Sequence, residues 1–244
     1  RGPPKMFCVA TAICAKLLMP ELSSELWFPI ALTLKACAGS LVLFIVAALP
    51  LAYYCARSSN VVSRVVLFAS TLPLIFPPVA LGYLLLLLLG IEGPLGAPLH
   101  ELFDVRIIFS QTAVVMAAFI AGLPLVVRPI KIAFESRTLR ELEDVARLCG
   151  ARAPTIFLTV TLPTVRNAVL SAFLLGTARA SGEVGITMMI GGNVADRTNT
   201  LSLEIFNAVG RGDFDAATFL CVILAVLALG LYCLLEILRR KAQI

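Results

Sequence analysis

Long apolar runs alternate with short charged segments along this chain. Five of the runs are long enough to cross a membrane, since about 20 mostly apolar residues are needed for a helix to span about 30 Å of hydrocarbon. They lack the strict alternation of barrel strands. The sequence therefore predicts an all-α polytopic membrane protein with five core transmembrane helices, at residues 30–56, 62–89, 107–127, 165–180 or somewhat beyond, and 216–237.

A further apolar segment, residues 6–19, precedes these runs. It is short for a span and Lys16 interrupts it, so two interpretations stay open: a shortened first transmembrane helix, or the apolar part of a signal-like sequence. In the first case the segment supplies an N-terminal sixth helix. In both cases we expect one transmembrane domain over residues 1–244, with no soluble domain attached.

Lysine and arginine collect in three regions beside the apolar runs. Because loops rich in these residues stay on the cytoplasmic side, their placement predicts the topology. We expect a cytoplasmic C-terminus, with the alternate loops, residues 90–106 and 182–215, facing outward. The basic regions hold Arg57 and Arg64; Arg128, Lys131, Arg137, Arg140, Arg147, Arg152 and Arg166; and Arg239, Arg240 and Lys241.

Composition agrees with a membrane location: 59% of the residues are hydrophobic, 14% are charged and the mean hydropathy is +0.96. Membrane lipids are therefore expected partners. The net charge of +5 does not indicate nucleic-acid binding, because the basic residues lie in separate short loops. His100 is the only histidine and the seven cysteines form no C-x-x-C pair, so we expect no metal and no cofactor.

The chain does not contain the sequence G-x-x-x-x-G-K-[ST], which binds nucleotide phosphates in many ATPases. It also offers no Ser/His/Asp set and no close carboxylate pair in an apolar setting. We therefore expect a transport subunit rather than an enzyme, with ATP hydrolysis on a separate subunit. Two rivals stay open, an ion-driven secondary transporter and a membrane scaffold; the first predicts internal repeats, and none is evident.

Prolines interrupt two of the predicted spans. Pro73, Pro77 and Pro78 lie in the second span, and Pro124 and Pro129 lie near the inner end of the third. Proline removes a backbone donor and clashes with the preceding turn, so we expect irregular helices at these points. They are either packing kinks or broken backbone that lines a polar path.

Residues 138–150 predict an amphipathic helix outside the membrane. Its apolar positions recur at helical spacing, and its charged residues occupy the remaining surface. Gly150 stands where a left-handed residue ends a helix. One interpretation is a helix in the headgroup layer; the other is a docking segment for a second protein, which small residues favour because they allow close approach. The apolar positions are Leu139, Leu142, Ala146 and Cys149, and the charged ones are Arg140, Glu143, Asp144 and Arg147.

The run Asp144-Val145-Ala146, followed by Gly150 and by Leu162-Pro163, resembles the Glu-Ala-Ala motif of ABC importer permeases. Two residues depart from the motif, since Asp144 replaces Glu and Val145 replaces the first Ala. The resemblance implies that residues 138–150 are the coupling helix that fits a groove on the ATPase. It assigns ATPase coupling to Glu143, Asp144, Ala146, Arg147 and Gly150.

Four further segments, residues 72–83, 93–96, 178–185 and 199–201, resemble permeases of molybdate and tungstate ABC importers. Sulfate and thiosulfate permeases share much of this pattern. Val184 departs from an expected Phe and Asn199 from a common Gln. The resemblance implies a type I importer permease in a bacterial or archaeal plasma membrane. It also implies a homodimer with the pathway at its two-fold axis, two copies of an ABC ATPase and an external substrate-binding protein.

The segment after residue 178 carries the candidate translocation path. Arg179 and Glu183 are four residues apart on a helix, where a mutual ion pair with a purely structural role is one interpretation. The other is a polar route for an oxyanion, in which glycines let backbone N–H groups face the anion. The path candidates are Arg179, Ser181, Gly182, Glu183 and Thr187.

Overall fold

The computed structural model describes residues 20–103 and 106–241, and these ranges are mostly helical with no strand. The predicted all-α class is confirmed, and the candidate sixth helix at residues 6–19 lies outside the described residues. In chain order the helices are α1 (Pro20–Leu43), α2 (Leu49–Arg57), α3 (Val61–Ile75), α4 (Pro78–Leu89), α5 (Gly96–Phe103), α6 (Gln111–Phe134), α7 (Arg137–Leu148), α8 (Ala153–Ile156), α9 (Leu162–Ser181), α10 (Gly185–Gly191), α11 (Leu201–Gly210) and α12 (Phe214–Lys241).

Four helical stretches in the described ranges are long and apolar enough to cross a membrane: Leu26–Arg57, Gln111–Phe134, Ala153–Ser181 and Phe214–Leu234. They match the first, third, fourth and fifth predicted spans. The fourth begins earlier than predicted, at Ala153 rather than residue 165. A π-helical turn, Phe157–Thr161, directly precedes Leu162-Pro163, and this wider turn accommodates a proline that lacks a backbone donor.

The second predicted span is two helices rather than one. The 15-residue α3 ends at Ile75 and the 12-residue α4 begins at Pro78, with Phe76 and Pro77 in extended backbone conformation between them. The prediction of an irregular helix is confirmed here. The helix α6 continues through its two internal prolines, so its backbone is not broken there, and neighbouring helices pack around it.

The core is built around α6, which packs against α9 and against helices α1 to α3. Phe44, Val126, Ile130 and Phe134 are fully buried in the largest apolar cluster. Two glycines allow the closest approach of α6 and α9, since a Cβ atom on Gly122 would lie 2.6 Å from the carbonyl oxygen of Gly176. Small residues at a helix crossing let backbones approach closely, which is typical of membrane proteins.

We expect Gly176→Ala to destabilise the protein, because the added Cβ atom would overlap Val126 and the ring of Phe44. Overpacking of this kind costs about 1–3 kcal/mol of unfolding free energy. Gly230→Ala is the matched control, since a Cβ atom there meets no other atom within 4 Å. Thermal unfolding of both variants in detergent tests the prediction, and equal midpoints would contradict it.

Two contacts join connecting segments that the predicted topology places on the same side of the membrane. At one end, the side chain of Arg57 contacts Glu143 of α7, so two of the basic regions meet. At the other, the backbone N–H of Phe109 donates to the carbonyl oxygen of Ile190 at 2.9 Å. The segment before α6 therefore meets the end of α10, which belongs to the other predicted outer loop.

Candidate functional site

The helix α7 has a well-defined C-terminal end. Gly150 has a positive φ of 81°, and its N–H donates to the carbonyl oxygen of Arg147 at 2.9 Å. The N–H of Ala151 donates to the carbonyl oxygen of Ala146 at 3.1 Å. This pair of hydrogen bonds is the Schellman motif, which satisfies the last carbonyls of a helix. The prediction that Gly150 ends the helix is confirmed.

The inward face of α7 carries a buried carboxylate. Glu143 is 3% exposed, so the prediction that it lies on the exposed polar surface is wrong. One guanidinium nitrogen of Arg57, at the end of α2, donates to both carboxylate oxygens of Glu143 at 2.5 and 2.6 Å. The buried hydroxyl of Thr161 donates to Oε1 at 2.6 Å. We call these three residues, Arg57, Glu143 and Thr161, the Glu143 cluster.

The Glu143 cluster connects three parts of the chain. A buried carboxylate costs several kcal/mol of solvation unless an opposite charge and hydrogen bonds compensate it, and both are present here. The guanidinium of Arg57 also lies over the ring of Tyr53, 5.5 Å from its centroid, which restricts its position. The ion pair and hydrogen bonds therefore fix α7 to the end of α2 and to the π-helical turn before α9.

The outward face of α7 is unexpectedly apolar. Leu142, Val145 and Leu148 are 44%, 58% and 88% exposed, and Cys149 is also exposed. We call Leu142, Val145 and Leu148 the apolar row. Of the four predicted apolar positions only Leu139 is fully buried, because Glu143 occupies the inward face. Charged residues flank the row. The i,i+4 spacing predicts the pairs Glu143–Arg147 and Arg140–Asp144; the first is present at 4.0 Å, whereas Asp144 pairs with Arg147 at 3.1 Å. Such a rimmed apolar surface is typical of an interaction site.

The ion pair predicted after residue 178 is present. Arg179 Nη1 lies 2.7 Å from Glu183 Oε2, and Glu183 Oε1 accepts a hydrogen bond from the backbone N–H of Ile186 at 2.8 Å. Glu183 is buried between the end of α9 and the start of α10. Its carboxylate therefore links these two helices and leaves one side of the partly exposed guanidinium accessible.

The other path candidates differ in solvent exposure. Ser181 and Thr187 are buried, whereas Gly182 is exposed. The Ser181 hydroxyl donates to the carbonyl oxygen of Ala178 at 2.9 Å, and the Ser181 carbonyl accepts from the hydroxyl of Ser202 at 2.9 Å. Of the five candidates, only Arg179 and Gly182 reach the surface of the chain.

The short helix α10 packs against the break between α3 and α4. A Cβ atom on Gly185 would lie 2.8 Å from Pro78 Cβ, and one on Gly82 would lie 2.8 Å from Met189 Cβ. The proline-rich segment and the segment with Ser181 and Gly182 are therefore in direct contact. Sequence reasoning treated them as separate motifs, because nothing local in either one indicates the other.

A polar cluster in α11 was not predicted. Glu204 accepts hydrogen bonds from Arg211 at 2.8 Å and from Asn199 at 2.5 Å, and Asn207 pairs with Asn193 at 2.7 Å. Burial raises the pKa of Glu204, but the hydrogen bonds from Arg211, Asn199 and Asn207 outweigh it and leave the pKa below its ordinary value. In the described residues no group of three His, Cys, Asp or Glu side chains is placed to hold a metal.

Residues 48–243 match the family model of the binding-protein-dependent transport system inner membrane component. The chain belongs to this family. The predicted assignment to ABC importer permeases is confirmed, and so is the expectation of a transport subunit rather than an enzyme. The chain is a multi-pass protein of the bacterial inner membrane.

Two relatives show the range of the match. The chain is 34% identical over 191 residues to the molybdenum transport system permease protein ModB of Azotobacter vinelandii, covering 78% of this chain and 84% of that one. It is 35% identical over 177 residues to the sulfate transport system permease protein CysW of Synechocystis, covering 72% and 63%.

A solved structure shows the same fold. A bacterial alginate ABC transporter, crystallised with an alginate-bound periplasmic protein, matches with a TM-score of 0.70 over 97% of this chain and 88% of that one. The identity is 15%, so this likeness concerns the fold alone. Together with the family match, it confirms the predicted type I importer permease-like fold.

Proposed function

We propose that this chain forms the translocation pathway of an ATP-driven importer for molybdate or tungstate. It works with a separate ABC ATPase and an external substrate-binding protein. The observation that carries the proposal is the build of α7, which is fixed to the transmembrane helices by the Glu143 cluster and presents the apolar row outward. The similarity to a molybdenum permease supports the choice of anion.

In the proposed mechanism α7 transmits force from the ATPase. Two copies of the chain form a homodimer, and each ATPase copy covers one apolar row and contacts Asp144, Ala146, Arg147 and Gly150. When the ATPases close on ATP, α7 moves with them. The Glu143 cluster transmits this movement to α2 and α9, and α9 carries it over 20 residues, about 30 Å, to Arg179 and Glu183.

The proposed route for the anion passes Arg179. A doubly charged oxyanion does not enter hydrocarbon unaided, so the route needs polar or cationic groups. The exposed side of the Arg179 guanidinium and the backbone at Gly182 supply them, while Ser181, Glu183 and Thr187 support the segment from the interior. The pathway lies at the two-fold axis of the homodimer, and both α7 and the C-terminus face the cytoplasm.

ATP hydrolysis by the reconstituted complex tests the choice of anion. Vesicles containing this chain, its ATPase and its binding protein are supplied with molybdate, tungstate, sulfate or thiosulfate. We expect stimulation by the first two. Stimulation by sulfate alone would favour the alternative of a sulfate permease, which the similarity to CysW supports. Uptake driven by an ion gradient without ATP would overturn the proposal.

Gly150 offers a direct test of docking. A Cβ atom at Gly150 would meet no other atom of the chain within 4 Å, so we expect a bulky residue there to interfere chiefly with a partner. We expect Gly150→Trp to uncouple ATP hydrolysis from uptake. Gly150→Ala is the control for backbone strain, because alanine carries the same Cβ penalty at positive φ without the bulk. Equal coupling in the two variants, measured as anion taken up per ATP hydrolysed, would contradict the prediction.

A further inference from the structure

A basic cavity lies beside α7, separate from the apolar row and from the candidate path. Its volume is about 400 Å³, it is open to solvent on one side, and it is lined by the end of α2, the start of α3, the end of α6 and one side of α7. Four cationic side chains line it, together with three serines and one carboxylate, that of Glu135. The cations are Arg57, Arg64, Lys131 and Arg140.

Only two of the four cations have carboxylate partners in the described part of the chain. Arg57 pairs with Glu143, and Lys131 lies 2.6 Å from Glu135. Within residues 20–103 and 106–241, no carboxylate lies at ion-pair distance from Arg64 or Arg140, and both residues are exposed. Two guanidinium groups therefore converge on the cavity with their charge uncompensated, which favours an anionic ligand with several acceptor oxygens.

The cavity adjoins an apolar surface on α3. Val61, Val65 and Phe68 are exposed and follow one another at helical spacing, so they form one apolar stripe. Arg64 lies on the same helix, and Leu67 lines the cavity. A ligand that fits both features carries an anionic head and a hydrocarbon tail.

We propose that the cavity binds the phosphate headgroup of an anionic phospholipid, whose acyl chains run along the apolar stripe of α3. Arg64 and Arg140 contact the phosphate oxygens, and the hydroxyls of Ser58 and Ser59 donate to the headgroup. Basic pockets between transmembrane helices are suited to such headgroups. Assigning this lipid to the cytoplasmic leaflet rests on the proposed function, but binding itself does not.

Native mass spectrometry of the delipidated full-length chain tests the proposal. The probes are phosphatidylglycerol, phosphatidylcholine with matched acyl chains, and inorganic phosphate. We expect phosphatidylglycerol to be retained about tenfold better than phosphatidylcholine, since each cation near a headgroup contributes a several-fold preference for an anionic lipid. The variant Arg64→Gln with Arg140→Gln loses that preference. Arg137→Gln retains it, because Arg137 is on α7 but outside the cavity and pairs with Glu141.

Each outcome either supports or overturns the lipid-binding proposal. Equal retention of the two lipids by the wild-type chain overturns the proposal without any variant, and so does an unchanged preference in the double variant. If inorganic phosphate saturates the cavity without blocking lipid binding, the cavity is a site for free anions, and the proposal is again overturned. Because retention is measured without transport, failure here leaves the importer proposal untouched.

Discussion

Glu143→Arg is expected to abolish coupled uptake and to lower the thermal stability of the permease. The substitution places a second cation against Arg57 at a buried position and removes the acceptor for the Thr161 hydroxyl. Breaking a buried ion pair by changing one partner costs about 3–5 kcal/mol. Uptake by reconstituted vesicles and the unfolding midpoint in detergent are the two measurements.

The exchange of both charges separates the role of the pair from general damage. We expect Arg57→Glu combined with Glu143→Arg to regain part of the uptake that Glu143→Arg loses, because the opposite charges face each other again. Glu141→Arg is the matched control, since Glu141 lies on the same helix, is exposed and pairs only with the exposed Arg137. If Glu143→Arg transports as well as this control, the Glu143 cluster has no part in coupling.

Leu148→Asp is expected to prevent ATPase binding while leaving the permease folded. Leu148 is 88% exposed, so an aspartate there costs the isolated protomer little. In the complex the carboxylate would enter an apolar contact without a partner, and a penalty of about 3 kcal/mol corresponds to a loss of about a hundredfold in affinity. The amount of ATPase that co-purifies with the permease measures this.

Leu148→Met is the control for Leu148→Asp, because it keeps the volume and apolar character of the side chain. It should retain both the ATPase and uptake. The two disruptive variants are expected to differ in stability: Glu143→Arg lowers the unfolding midpoint, and Leu148→Asp does not. Normal ATPase binding by Leu148→Asp would show that the apolar row is not the contact surface.

Sequence alone was sufficient for features that depend on local patterns. Apolar run length predicted the membrane helices, the position of Gly150 predicted the end of α7, and the i,i+4 spacing of Arg179 and Glu183 predicted their ion pair. The proline-rich segment predicted a broken second span, since two consecutive prolines interrupt the hydrogen bonds of a helix. Each of these features is decided within a few residues of the chain.

Features that depend on distant partners were missed or misplaced. Glu143 was assigned to the surface because an isolated charge on a short helix is usually solvated, whereas its partner Arg57 lies 86 residues away. One signal was present: Glu143 follows Leu139 by four residues, so the two share a face, and the pattern predicts Leu139 to belong to the apolar side of the helix. The packing of α10 against Pro78 likewise depends on contacts that no local pattern encodes.

Labelling of Cys149 tests most directly whether α7 is the cytoplasmic contact for the ATPase. Cys149 is a free, exposed cysteine directly after α7, and Cys149→Ser gives the background from the other cysteines. A membrane-impermeant maleimide is applied to right-side-out and inside-out vesicles, with and without bound ATPase. We predict labelling only in inside-out vesicles, and protection when the ATPase is bound. Labelling from the outside, or unchanged labelling in the presence of the ATPase, would contradict the account.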